Sequence, residues 1–336
     1  MSPGATARLA TRAPFHLEAT VRVLQRRPAN PVDFWEGGRY LRALSTADGP
    51  ALLEVRNRGT IDAPDVRARF RGAPLSPPAR AALKRTVRAT LGLDFDPVRL
   101  ERFGELEDPL RSTAAALRGL RPPRFPSLFE TFANVVPFQQ VSLDAGAAIV
   151  GRLVARFGRS LDTGGRRFPL FPTATAIAGA RLDALRGCGL SARKAETLRG
   201  LARGVASGEI DEAALARMPS SAALETLTAL PGIGPWSAAL VLLRGLGRLD
   251  VFPPGDVGAS KALRRLLRLG PHEEVEHAVE RFGPDRGYLY FYAIGSRLLA
   301  EGLIEPARKM GSELIFPRRG PQDGGRRRRP TAPKEN

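Results

Sequence analysis

Cysteine is almost absent: Cys188 stands alone in 336 residues. That excludes an intramolecular disulfide framework and any site built from four cysteines, whether zinc or iron-sulfur. The three histidines, His16, His272 and His277, are too few and too scattered for a histidine metal centre. Long apolar runs are missing as well, and none approaches the roughly 18 residues that a membrane-spanning helix requires. The opening MSPGATARLATRAP has no apolar signal-peptide core, so a disordered start over residues 1–13 and a cytoplasmic location are expected. Acidic residues are scarce relative to basic ones, with 34 Asp and Glu against 52 Lys and Arg, a formal charge of +18. Such an excess favours a polyanionic partner, nucleic acid first. Part of it lies in RRGPQDGGRRRRPTAPKEN, whose Gly, Pro and Arg content reads as a disordered basic tail over 306–336.

What is present divides into two textures. From Pro14 to about Gly72, FHLEATVRVL, RYLRAL, ALLEVRNR and DVRARFRG alternate like strands between turn residues, which predicts an antiparallel sheet. In SPPARAALKRTVRATLGL, Ser76 can cap a helix, Pro77 suits its first turn and Gly92 can close it. From Phe125 onward nearly every segment has helical period, about ten helices in some 180 residues, with Gly189, Gly208, Gly247 and Gly270 near C-terminal caps. Strands and helices do not alternate, which argues against a Rossmann-like sheet. The fold expected is α+β: a small N-terminal α/β domain with an antiparallel sheet (14–120), then a helical core (121–305) containing a helix-hairpin-helix at 221–247.

The most informative stretch is LPGIGPWSAALVLLRGLGRLDVFPPGD, residues 230–256. Leu224, Leu227 and Leu230 end one amphipathic helix, and another begins near Trp236. Gly232 and Gly234 between them free the turn from side chains, so a phosphate could approach the amides at the second helix's start, with Ile233 anchoring the turn. Such a grip holds a DNA strand without reading its sequence. Asp256 follows Gly234 by 22 residues, after the extended segment LDVFPPG returns the chain toward the hairpin. It is also well placed to cap a helix over GASKALRRLL.

This hairpin, Gly/Pro-rich loop and aspartate resemble the signature of the helix-hairpin-helix DNA glycosylase superfamily, in particular its alkylated-base branch, DNA-3-methyladenine glycosylase II. FQQVS (138–142), FPTATAIA (171–178), GLSARKAETLRGLA (189–202) and PDRGYLYFYAIG (284–295) extend the resemblance, and the strand-rich front end suits that branch. The resemblance implies a monomeric enzyme of base excision repair in the bacterial cytoplasm or nucleoid, acting on damaged double-stranded DNA. It would flip a base out of the duplex and hydrolyse its glycosidic bond. Asp256 would then stabilise the oxocarbenium-like sugar and orient water. Bifunctional members carry a lysine nucleophile where this chain has Trp236, so no strand cleavage is expected. Trp236, Gln139, Leu240, Val257 and Ile294 match base-pocket positions, with Trp236 an aromatic face for an alkylated, cationic base. Gly232, Ile233, Gly234, Gln140 and Lys261 match DNA contacts, Gln140 as the wedge that fills the gap left by the base. No cofactor and no iron-sulfur cluster are expected, although the Leu230 and Ile233 carbonyls match a monovalent cation site. Two other readings compete: a glycosylase for deaminated or oxidised bases, and a damage-binding protein without catalysis.

Overall fold

The computed structural model describes residues 6–72, 74–100, 103 and 108–307. Five antiparallel strands, β1 (Thr6–Arg8), β2 (Phe34–Glu36), β3 (Arg39–Thr46), β4 (Gly49–Asn57) and β5 (Val66–Gly72), form one sheet in the order β1-β5-β4-β3-β2. Alternation sorts their side chains. Tyr40, Leu53, Val55, Ala68 and Phe70 enter one apolar cluster, while Leu41, Ala43 and Leu52 enter another on the opposite face. The expected helix spans Pro77–Thr90, capped by the Ser76 hydroxyl on the Ala79 amide, and Gly92 follows it at φ +59°.

Two expectations for this region are corrected. Thr6–Arg8 is not a disordered start: it pairs with β5, and Leu9 behind it is buried. FHLEATVRVL is not a strand either, since Leu17–Gln25 is a helix capped by the His16 ring on the Ala19 amide. The misreading has a cause. Leu17, Val21 and Leu24 face the sheet's core while Ala19 and Val23 face the helical core, so burial on two sides imitates an alternating pattern.

The helical region follows the expected pattern through Leu128–Ala133, Leu143–Phe157, Ala192–Ser207, Ser220–Thr228, Pro235–Val241, Val257–Leu266 and Tyr288–Ala300. Gly189, Gly208 and Gly247 are left-handed, as helix closure needs, but Gly270 is not; there the positive φ falls on Arg268. The strand hairpin β6 (Ser160–Thr163) and β7 (Arg166–Pro169) was not expected. Its Gly164-Gly165 turn, both residues at positive φ, is a hairpin signal legible in the sequence. Phe168 and Leu170 seat on the second face of the five-stranded sheet, so both faces are covered.

The two regions are joined by charge as well as by apolar packing. Arg42 of β3, about 1% exposed, reaches Asp33 at 2.7 Å and both oxygens of Glu130 at 2.6 Å. Burial opposes charge on Arg42, yet Asp33 and Glu130 hold its pKa well above the ordinary value. Two carboxylates share one guanidinium, and burial pushes Glu130 up to about 7 against the pull of Arg42. Among the described residues no helix is long and apolar enough to cross a membrane. The basic tail, from residue 308 on, lies outside the described residues.

Candidate active site

The hairpin is fixed first by its glycines. Gly232 has φ +82°, and a Cβ there would stand 2.2 Å from the Thr197 hydroxyl, so both torsion and close packing against the Ala192–Ser207 helix require glycine. Ile233, 4% exposed, anchors the turn in the core as expected. Gly234 needs no special torsion, since its φ of −95° is open to any residue. What glycine leaves there is clearance, because a Cβ would meet no protein atom within 4 Å. The helix that follows starts at Pro235 with no side-chain cap, so its first amides have no partner within the helix.

From this helix the chain runs through Leu249–Phe252 against Gly287, whose amide donates to the Leu249 carbonyl at 2.7 Å. Gly255, at φ +68°, then turns it toward Asp256, and Glu276 holds the Gly255 amide at 2.8 Å. The two oxygens of Asp256 have separate partners. Oδ1 accepts the Ala259 amide at 2.8 Å, capping the Val257–Leu266 helix, and Oδ2 accepts the Trp236 indole N–H at 3.0 Å. The cap and the cleft-facing group are therefore the same side chain. Its rotamer is locked by a helix N-terminus on one side and a hairpin tryptophan on the other.

Opposite the hairpin lies the Gln139–Gln140 loop. Gln139 Nε2 donates to the Gly232 carbonyl at 2.9 Å and to Ser237 Oγ at 3.0 Å, tying loop to hairpin across the cleft. Gln140 is exposed and sits at φ +53°, a left-handed conformation rare outside glycine. Lys194 holds the loop from behind through the Pro137 carbonyl at 3.2 Å and the Gln139 carbonyl at 2.6 Å, and burial lowers its pKa. Sequence reading did not identify Lys194, because a helix lysine has the same local appearance whether solvated or buried.

These elements enclose a cleft of about 1530 Å³ lined by Leu230, Gly232, Ile233, Gly234, Trp236, Gln139, Gln140, Asp256, Val257, Lys261 and Ile294. All the expected site residues but one thus gather around it. The exception is Leu240, 1% exposed, which lies one helical turn beyond Trp236 and already inside the apolar core. Val257 lines the cleft but is 81% exposed, a rim position rather than a pocket wall. Of the aromatic run Tyr288, Tyr290, Phe291 and Tyr292, only Tyr290 reaches the cleft. Tyr288 instead donates to the Leu120 carbonyl at 2.8 Å. Tyr290 accepts from Arg26 at 2.9 Å, and its pKa is raised by burial, with Arg26 opposing and Asp256 adding to the shift. Arg26, from the end of the Leu17–Gln25 helix, is a cleft residue that no local motif announces. Among the described residues no cluster of His, Cys, Asp and Glu could hold a metal ion.

Comparisons with known proteins agree with this architecture. In sequence, the chain is 29% identical over 216 residues to the DNA-3-methyladenine glycosylase of Bacillus subtilis (strain 168), covering 63% of this chain and 71% of the relative. The solved 3-methyladenine DNA glycosylase from Archaeoglobus fulgidus superposes with a TM-score of 0.73 at 27% identity, over 88% of this chain and 99% of that one. A Schizosaccharomyces pombe 3-methyladenine DNA glycosylase solved with abasic DNA matches at TM-score 0.51 and 26% identity, over 60% of this chain and 98% of that one. The AlkA N-terminal domain family matches residues 6–127, and the HhH-GPD superfamily of base excision DNA repair proteins matches residues 134–284. With the sheet region under the first match and the hairpin, Asp256 and most of the cleft under the second, the chain belongs to the HhH-GPD superfamily, in the branch that carries the AlkA N-terminal domain.

Proposed function

We propose that the chain is a monofunctional DNA glycosylase that excises alkylated bases from double-stranded DNA and leaves an intact abasic strand. The observation that carries the reading is the Asp256 carboxylate, held by Ala259 and Trp236 at the cleft between hairpin and Gln139–Gln140 loop. A carboxylate fixed in this way needs no reorganisation to meet the positive charge that develops on the sugar as the glycosidic bond breaks. Its second task is to orient the water that adds to the sugar carbon.

The other residues divide the physical work. Gly234 leaves room for a phosphate at the open amides of the Pro235–Val241 helix, and Lys261, exposed on the rim, adds positive charge. Gln140 projects from its left-handed position as the wedge, while Gln139 joins the pocket to the hairpin. Trp236 offers its ring to the flipped base and its N–H to Asp256. Hydrolysis without strand cleavage is favoured because Trp236 stands at the lysine position of bifunctional relatives, and the Lys194 amine is engaged by two carbonyls. A monovalent cation at the hairpin would be held by the Leu230 and Ile233 carbonyls; Leu230 already accepts the Ile233 amide at 3.1 Å and keeps a second lone pair. The S. pombe relative solved with abasic DNA supports DNA as the ligand.

The test is mass-spectrometric detection of free base after incubation with methylated duplex DNA, with the strand analysed on a denaturing gel. Release of 3-methyladenine from a strand that breaks only after alkali is expected. Tight duplex binding with no base released from methylated, deaminated or oxidised duplexes would replace the enzyme by a damage-binding protein.

A further inference from the structure

The cleft is electrostatically lopsided. Seven cationic side chains line it, Arg26, Arg27, Arg193, Lys194, Lys261, Arg265 and Arg297, against one carboxylate, Asp256. Several are already engaged. Arg27 meets Asp144 at 2.9 Å, Arg297 meets Glu301 at 2.9 Å, and Lys194 is held by its two carbonyls. Arg26 is different: half-buried, it makes no ion pair among the described residues.

Its partners are neutral. Nη2 donates to the Tyr290 hydroxyl at 2.9 Å, and the guanidinium lies 5.3 Å from the Phe138 ring and 6.0 Å from the Phe125 ring. Its Nε is buried with no hydrogen-bond partner. Its backbone is fixed as well, at φ +60°, with Arg297 donating to the Arg26 carbonyl at 3.0 Å. Behind it stands a second uncompensated cation. Arg244, 0% exposed, has no hydrogen bond at any guanidinium nitrogen and packs over Phe125 at 4.7 Å and Phe291 at 5.6 Å. Burial, together with the like charge of Arg26, lowers its pKa to about 9. The floor of the cleft beside Tyr290 therefore carries fixed positive charge, and Trp236 is the one tryptophan among the residues that line the cleft.

We infer that Arg26, delivered from the N-terminal domain into the cleft of the helical core, selects bases by charge, favouring neutral lesions with oxygen or nitrogen acceptors over cationic, ring-N-alkylated ones. The inference rests on the glycosylase reading and refines its substrate. A purine nucleotide alkylated at ring N3 or N7 carries a positive charge, which an uncompensated guanidinium repels at low dielectric. Hypoxanthine and 1,N6-ethenoadenine are neutral and offer acceptors to a guanidinium donor. Intrinsic lability works the other way, because a cationic base leaves more readily. The informative quantity is therefore the change in the neutral-to-cationic release ratio between wild type and variant, in which lability cancels.

The experiment measures release of hypoxanthine and 1,N6-ethenoadenine from synthetic duplexes, and of 3-methyladenine and 7-methylguanine from methylated duplex, for wild type, Arg26→Met and Arg26→Lys. Methionine keeps an apolar stem against Phe125 and Phe138 and removes the charge; lysine keeps the charge. Arg26→Met is expected to lower the neutral-to-cationic ratio by about tenfold or more, within the range a single pocket contact commands, and Arg26→Lys to retain most of it. A ratio unchanged within about twofold, with all four releases scaled alike, would make Arg26 a packing residue and overturn the inference while leaving the glycosylase reading intact. No release of any base by wild type would overturn both. If Arg26→Met does not fold, Arg26→Gln removes the charge while keeping a donor for the Tyr290 hydroxyl, and an unchanged ratio there overturns the inference equally.

Discussion

The two walls of the cleft are built differently. The hairpin wall comes from one stretch, residues 230–262, in which turn, tryptophan, aspartate and the helix it caps follow one another along the chain. The facing wall is assembled from Arg26, the Gln139–Gln140 loop and the Tyr290–Arg297 turns, brought together by Lys194 and by packing between the two regions. On the proposed function the difference separates tasks: the chemistry would be carried by a contiguous segment, and the recognition surface would depend on tertiary assembly. Removing a group from the first wall should cost rate, and removing one from beneath the second should cost stability.

The largest effect expected is on rate. Asp256→Asn should lower base release by about 10²–10⁴-fold, the usual scale for a positioned acid-base or electrostatic group, with duplex affinity little changed. Single-turnover release alongside an equilibrium binding assay checks this, and wild-type-like turnover would remove Asp256 from the chemistry. Beneath the opposite wall, Arg42→Ala should destabilise the fold by about 3–5 kcal/mol, because it strands Asp33 and Glu130 without their shared cation. Denaturant titration reads that loss, and a change below about 1 kcal/mol would mean that water or relaxation replaces the pair.

The hairpin itself sharpens the contrast, since its two glycines should fail in different ways. Gly232→Ala, forced to φ +82° and into Thr197, should cost about 1–3 kcal/mol of stability. Gly234→Asp should leave melting near wild type and weaken duplex binding about tenfold at low salt, through blocked and repelled phosphate. Unchanged affinity in that folded variant would dismiss the phosphate grip. The last comparison is a pH slope. Folded Glu130 keeps its proton to about pH 7, whereas the unfolded chain releases it near the ordinary value of 4.5. Stability should therefore decline as pH rises through that window and then level off. Glu130→Gln should flatten the slope, and an equal slope in that variant would assign it to another group.

The same contrast decides what could be read from the sequence. The hairpin wall was legible because its groups lie in order along the chain and their spacing carries the geometry. Gly234 shows the limit even there: the motif announces the clearance at the turn, but not that the Gly234 torsion, unlike that of Gly232, is open to any residue. Leu240 matched a pocket position by motif, yet depth in the core is a property of the whole helix packing and not of the spacing. Arg26 and Lys194 were not legible, because nothing local distinguishes an arginine or lysine that will be buried against a distant loop. In the sheet region the strands announced themselves by alternation, whereas Leu17–Gln25 concealed its helical period by being covered on two sides.

That twice-covered helix bears on modularity. Its Leu17, Val21 and Leu24 belong to one core and its Ala19 and Val23 to the other, and Arg26 emerges from its end into the cleft. Cutting the chain between the two family matches would expose an apolar face on each fragment and remove Arg26 and Arg27 from the cleft. A graft that exchanges the N-terminal half for a homologous one would carry a foreign side chain into the cleft along with its scaffold. The seam between the halves thus contributes to the lining of the cleft, and on the proposed reading swapping halves would retune the lesion spectrum rather than be a neutral exchange of parts.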